Sequence, residues 1–311
     1  MAESPAIKVL FVAGLGRSGS TLLDNVLGSV EGFFSLGELI YIWDRCVRDD
    51  RRCGCGEAFS DCPFWAPIRA AGMSGVDDSA IDRIVRVRES LGPGGVTLRS
   101  HFATRPLSGE LIDEFVEAHL GIYRAIRDET GCRVIVDSSK WPGYGFVLSQ
   151  MPGIEPYYLH LVRDPRPVAY SWQKKKIYDA SGKEPLYMSR FSIVESCRLW
   201  NKWNIASEIL LRRPPGRYLR LHYEDFVDRP RRTIEKIAEH IGESPSSLPF
   251  VSERDVRLAV NHAVGGNPSR FESGVVSIRR DDTWRQQMSS RQRSAVLALT
   301  WPFFLRYRYP R

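Results

Sequence analysis

Residues 14 to 21 read GLGRSGST, and their types and spacing fit a loop that cradles phosphates. The phosphate-loop pattern is G-x-x-x-x-G-K-[ST]; here Gly14, Gly19 and Thr21 fall into register, and Ser20 stands where the lysine belongs. Glycines let the backbone curl against a ligand, Ser18, Ser20 and Thr21 add hydroxyls, and Arg17 offers a planar, permanently charged fork. In a nucleoside triphosphatase the lysine reaches the terminal phosphates and the threonine serves magnesium. A loop without that lysine suits a less charged group. A 5′-phosphosulfate, with one phosphate, one sulfuryl group and no need of a bridging metal, fits arginine, hydroxyls and backbone amides.

Two further constellations lie downstream. In HLVRDPRPVAYSW, Arg163 at a strand end and Ser171 in the next helix are placed to converge on one phosphate, although solvated arginines are equally ordinary in such loops. In LHYEDF, Tyr223 follows a strand and can stack on a base or hydrogen-bond it, or simply fill a core.

These residues need elements to hold them. Short apolar or β-branched runs predict strands over 8–13, 133–137, 157–162 and 217–222. Helical periodicity marks 22–27, the stretch from 110 to 130, 192–212 and 230–241, the last entered through Pro230. Strands alternating with helices imply βαβ units, hence an α/β fold: a P-loop-like parallel β-sheet flanked by helices, with helical and loop insertions. Residues 70–108 show little strand character and read as part of an insertion, about 41–130, between the first two of these strands, on the side expected to meet an acceptor. One domain is expected over 1–311.

Composition sets outer bounds. With 43% hydrophobic and 26% charged residues, the chain has the makings of a sizeable core, so disordered and fibrous classes are excluded. The net charge of +7 favours anionic partners, but the arginines are dispersed and form no nucleic-acid tail. No run approaches 18 apolar residues and the start lacks a signal-like segment, so a cytoplasmic protein without a membrane span is expected. Cys46, Cys53, Cys55 and Cys62 lie close together. Thiolates suit zinc, but a C-x-C core with six-residue flanks misses the usual paired C-x2-C spacing, so the preferred reading is a plain turn with reduced cysteines, zinc or a redox pair being the alternatives. No metal is expected. Cys132 and Cys197 read as core.

Taken together, GRSGSTLL, RDPRPVAYS and YEDF followed by RPRRTIEKIAEHIG resemble the sulfotransferases that use 3′-phosphoadenosine-5′-phosphosulfate, over about residues 8–240. The resemblance implies that Arg17, Ser18, Gly19, Ser20 and Thr21 bind the 5′-phosphosulfate, Arg163 and Ser171 the 3′-phosphate, and Tyr223 the adenine. It also likens GGNPSRFESG to the family's nucleotide-closing loop, which places Asn267, Ser269 and Arg270 near the nucleotide, with Arg279 and Arg280 as further candidates. The product would be adenosine-3′,5′-bisphosphate.

The cytosolic branch of that family carries a histidine base in a K-T-H-x-P stretch; VDSSKWP has Lys140 in its place. In the tyrosylprotein branch a glutamate in a G-E motif does the work, and FSLGEL puts Glu38 at the equivalent distance. Glu38 is therefore the expected base, its pKa raised by desolvation, with Lys140 and Arg17 stabilising developing charge and Ser138 or Ser139 assisting. Glu38 also suits the start of a helix without any chemistry. His160 and His222, inside strands, read as core; His101 and His262 remain as other bases, His262 the stronger. Asp137 is expected to orient its loop. The acceptor would be a small-molecule or carbohydrate hydroxyl, or a peptide tyrosine, met by aromatics such as Trp141, Trp172, Tyr178, Tyr187 and Trp203. A P-loop phosphotransferase and a non-catalytic nucleotide-binding protein are the alternatives.

Overall fold

The computed structural model describes residues 5–92, 109–179, 186–212 and 215–309. Its strands are, in chain order, β1 (Ile7–Ala13), β2 (Phe33–Gly37), β3 (Val134–Lys140), β4 (Ile154–Val162), β5 (Ile177–Asp179), β6 (Leu186–Tyr187), β7 (Tyr218–His222), β8 (Asp255–Leu258) and β9 (Gly274–Ser277). Five of them form one parallel sheet ordered β2-β3-β1-β4-β7, while β5-β6 and β8-β9 are small antiparallel ribbons. The α/β expectation is met.

β1 lies at the centre because its IKVLFVA run is apolar on both faces, as a strand covered on both sides must be. Ile7, Val9, Phe11 and Ala13 point into one core, Leu10 and Val12 into the other. That period of two also holds in β3, where Ile135 faces the first core and Val134 and Val136 the second.

All four strands expected from sequence are present, each with at least one end shifted. β3 runs on to Lys140, and β4 starts at Ile154 rather than 157. The fifth, β2, carried too weak a pattern: Ser35 takes a fully buried position in FFSLG. It is tolerated there because its hydroxyl donates to the buried Asp24 carboxylate of helix α1 (Ser20–Gly28). The contact is close, and a Cβ at Gly28 would fall 2.4 Å from that of Ser35.

The insertion accordingly follows β2. It includes a wide-turned segment Ile42–Arg48 and helices α2 (Trp65–Gly72), α3 (Asp78–Ser90) and α4 (Glu110–Thr130). Trp43, Trp65, Ile81, Phe115 and Tyr123 from these elements pack into the same core as Ile7, Val9 and Phe11. Beyond the sheet's middle come α5 (Pro142–Leu148), α6 (Pro165–Gln173) and α7 (Ile193–Leu211). α7 is closed at its start by a reciprocal capping box between Ser192 and Glu195. Among the described residues, no helix is long and apolar enough to cross a membrane.

Candidate active site

The loop from Gly14 to Gly19 leaves the carboxyl end of β1, where the connection from β1 turns toward β2 on one side and that from the adjacent β4 toward β7 on the other, the place at which open parallel sheets bind ligands. It is tightly fitted: a Cβ on Gly14 would lie 2.4 Å from the Leu161 carbonyl oxygen, and one on Gly19, whose φ is +89°, would lie 2.2 Å from the Tyr223 ring. Of the four non-glycine residues with positive φ among the described residues, two are Arg17 and Lys140, at +73° and +70°. Each costs about 1–3 kcal/mol, a strain that clusters at ligand sites.

Arg17 is 9% exposed. Its Nη1 meets the Met188 sulfur at 3.0 Å and its guanidinium lies over the Trp172 ring at 4.9 Å, but Nε and Nη2 are buried without a hydrogen-bond partner among the described residues, as is Ser18 Oγ. Burial lowers the Arg17 pKa, against the opposing pull of Glu38. Unpaired donors of a charged group are expensive to bury, and an anion would satisfy them.

Glu38 follows β2, its backbone N–H donating to the Val264 carbonyl at 2.6 Å. Lys140 Nζ donates to Glu38 Oε1 and, at 2.9 Å, to the Ser138 carbonyl; Arg45 stands 3.8 Å from Oε2. The expected upward shift of the Glu38 pKa is reversed: burial pushes it up, but Lys140, Arg45 and Arg270 outweigh burial and hold the carboxyl below its ordinary value. Sequence reasoning missed Arg45, because the wide-turned Ile42–Arg48 segment that aims it back at Glu38 has no periodic signature. Asp137 accepts from the Ser139 backbone N–H at 2.8 Å, and Ser139 Oγ accepts from the Ile40 N–H at 3.1 Å, so Asp137 orients this loop as expected.

These groups open onto a cavity of about 540 Å³ lined by Arg17, Gly19, Ser20, Thr21, Glu38 and Lys140, and on the late segment by Asn267 and Ser269. The closing segment touches the loop directly: the Asn267 N–H donates to Thr21 Oγ1 at 3.3 Å. Aromatic residues make up much of the remaining wall, among them Tyr41, Trp141, Trp172, Tyr178 and Trp203.

Arg163 and Tyr223 belong instead to a second cavity of about 240 Å³, which Arg280 also lines. The Arg163 guanidinium covers the Tyr223 ring at 4.3 Å and its Nη1 donates to the Arg17 carbonyl at 3.0 Å, so the two cavities meet where Tyr223 abuts Gly19. Ser18, Ser171 and Arg270 line neither cavity. Arg270 is 1% exposed, stacks on Phe271 at 4.1 Å and reaches the Gly266 and Arg52 carbonyls at 3.4 Å, which makes it a buried tie for the late segment. Arg280 pairs with Asp228, and Arg279 donates to Ser277 Oγ at 3.1 Å.

The histidines sort cleanly. His160 is fully buried between the Tyr218 hydroxyl at 2.6 Å and Asn204 Oδ1 at 2.8 Å, its pKa lowered to about 4 by burial, a satisfied core histidine. His222 ends β7 but is not the core residue expected: it is half-buried, lines the second cavity and sets its ring 57° to that of Tyr309 at 5.1 Å. His101 lies outside the described residues. His262 does not enter the first cavity; its Nδ1 meets the Cys53 and Cys62 sulfurs, with Cys55 in the same group of donors and Cys46 outside it. The expectation of a plain turn thus overlooked a histidine 200 residues beyond Cys62.

Residues 144–246, about a third of the chain, match the model described as the sulfotransferase family. In the solved structures, the sulfotransferase domain from the curacin biosynthetic pathway is 18% identical, with 99% of this chain and 100% of that one covered and a TM-score of 0.52. The sulfotransferase domain from the Synechococcus PCC 7002 olefin synthase is likewise 18% identical, covering 100% and 98%, with a TM-score of 0.49. Retinol dehydratase in complex with androsterone and inactive cofactor PAP is 15% identical, covering 95% and 80%, at 0.36. No curated protein matches. The resemblance drawn from the motifs is borne out: the fold is the sulfotransferase fold, and the segment holding Arg163, Ser171 and Tyr223 lies within the match to the family model. Arg17, Glu38 and Lys140 lie ahead of the matched segment.

Proposed function

We propose that this protein transfers a sulfuryl group from 3′-phosphoadenosine-5′-phosphosulfate to the hydroxyl of a small, largely apolar acceptor. The observation that carries the reading is the buried Arg17 guanidinium on the cavity wall, two of whose nitrogens lack partners among the described residues, in a glycine-lined loop. That set fits a phosphosulfate. The bound nucleotide would supply an activated sulfuryl group on a good leaving group.

The chain's own residues supply the rest. Arg17, Ser20 and Thr21 would hold the 5′ end, while Arg163 and Tyr223, across the Gly19 contact, would hold the 3′-phosphate and the base. Glu38, kept ionised by Lys140 and Arg45, would accept the proton of the acceptor hydroxyl. Lys140 and Arg17 would stabilise negative charge building on the transferred group. The wall of Tyr41, Trp141, Trp172, Tyr178 and Trp203 suits a flat apolar body. A magnesium triphosphate is less well served: the lysine is absent, and Thr21 Oγ1 is engaged by Asn267.

Calorimetric titration with adenosine-3′,5′-bisphosphate, run beside magnesium–ATP, tests the reading. Metal-independent binding of the bisphosphate that is lost in Arg163→Ala is expected. Preference for magnesium–ATP, or binding of neither, refutes it.

A further inference from the structure

Cys53, Cys55 and Cys62 belong to a ten-residue knuckle, CGCGEAFSDC, and converge on His262 from the late segment that borders the active site. The Cys53–Cys62 and Cys55–Cys62 sulfurs are each 3.7 Å apart, and His262 Nδ1 lies 3.7 Å from Cys53 Sγ and 3.4 Å from Cys62 Sγ. All four donor atoms fall within 4.8 Å of one another. A tetrahedral zinc with Zn–S of about 2.3 Å and Zn–N of about 2.05 Å has S···S edges of about 3.75 Å and S···N edges of about 3.55 Å. Four of the six edges therefore match those of a filled cage. The sulfurs stand well beyond the ~2.05 Å of a disulfide.

The supporting backbone is equally specific. Gly56, at φ +100°, turns the knuckle, and the Cys53 N–H donates to the Glu57 carbonyl at 2.9 Å. The Gly54 N–H donates to the Ala263 carbonyl at 3.0 Å, and a Cβ at Gly54 would strike Asn261 Oδ1 at 2.0 Å, so the knuckle and the late segment are in direct contact. The His262 ring is stacked on Phe64 at 4.4 Å, and Trp65 Nε1 donates to the His262 carbonyl at 3.0 Å. The imidazole is thus held with Nδ1 toward the thiols before any ion arrives.

We propose that Cys53, Cys55, Cys62 and His262 form a structural zinc site. Three thiolates with one imidazole are a donor set that zinc takes in closed sites, and four protein ligands leave no open position for catalysis. Thiol protons leave to solvent as the metal binds. The ion joins the insertion to the late segment two residues before Val264, which bridges to Gly37 and accepts from the Glu38 N–H, and five before Asn267, which meets Thr21. Zinc would therefore fix the strap that closes one side of the active-site cavity.

The test is metal content of the whole chain, purified without added metal and with any affinity tag removed, by inductively coupled plasma mass spectrometry. About one zinc per chain is expected in the wild type and in Cys46→Ser, and its loss in Cys55→Ser and His262→Ala. If those two variants fail to fold, cobalt substitution of the wild type keeps the test decisive: tetrahedral ligand-field bands with thiolate charge transfer are expected. Chelation should also speed amide exchange over residues 262–267. Metal-free protein with free thiols, a disulfide seen by mass, another metal at full occupancy, or zinc retained in a folded His262→Ala each overturns the assignment. None of these readouts depends on sulfuryl transfer.

Discussion

Replacing Lys140 by methionine removes the ammonium that pairs with Glu38 while keeping a side chain of similar length. Glu38 is 8% exposed, so the carboxylate left behind stays largely out of water, with Arg45 at 3.8 Å as its nearest partner. At an effective dielectric near 20, a pair at that separation retains about 4 kcal/mol of attraction before desolvation is counted. Removing one partner of a buried pair costs about 3–5 kcal/mol. With Arg45 retained and the cavity open to water, the lower end applies, about 3 kcal/mol at pH 7. The pH dependence fixes the cause. In the wild type the folded Glu38 pKa lies below its unfolded value of about 4.3, so its stabilisation is complete above that value and is lost as the pH falls through the folded pKa. In Lys140→Met, burial dominates and pushes the carboxyl up, so the deficit is small in acid and grows as the pH rises. Urea unfolding of both proteins between pH 4 and 8 measures the gap, and adding Glu38→Gln, which removes the stranded charge, should recover part of it. A gap of equal size across the range, or a double variant as unstable as Lys140→Met alone, refutes the reasoning. In turnover, the acid limb of the Lys140→Met profile should move to higher pH; an unmoved limb would remove Glu38 as the ionised base.

Arg17→Met should weaken adenosine-3′,5′-bisphosphate by about 10–100-fold in calorimetry, the worth of one or two hydrogen bonds to a charged group. It should also raise the stability of the ligand-free protein by roughly 1 kcal/mol, because two unpaired buried donors disappear; a loss of stability would count against Arg17 as an anion site. Gly19→Ala forces a Cβ into the Tyr223 ring at a φ of +89° and should cost about 2–3 kcal/mol in urea unfolding, while unchanged stability would mean the loop is looser than its contacts indicate. Burial raises the Asp24 carboxyl to about 7 despite the Ser35 hydrogen bond, so the wild type loses stability as the pH rises from about 4 through 7. Asp24→Asn should therefore be more stable on the order of 2–4 kcal/mol at pH 8 and nearly neutral at pH 4, and equal effects at both pH values would contradict the shift.

β1 was legible beforehand because its apolar run faces a core on both sides, with Val9 and Phe11 on one face and Leu10 and Val12 on the other. β2 was illegible because its buried Ser35 is satisfied by Asp24, a partner on another element that no local pattern announces. The same division runs through the site. GLGRSGST has the pattern of an anion loop on its own, since glycine spacing and hydroxyls act through the local backbone, and the order of the three motifs pointed to the family. By contrast, the ionisation of Glu38 is decided by Lys140, 102 residues away, and by Arg45, which reaches it only because the segment after β2 winds widely.

Sequence by itself thus determined four of the sheet's strands, the glycine-rich loop that follows the first of them and the identity of the charged groups, because those depend on short-range pattern. Only the tertiary structure decided that Arg163 and Tyr223 line a different cavity from Arg17, that Ser171 lines neither, and that burial of Glu38 is outweighed by its cations. It alone brought His262 to three cysteines whose spacing had argued against a metal. Coulombic balance, desolvation and ligand geometry are set by distances through space, and residues 200 positions apart acquire those distances only when the chain folds.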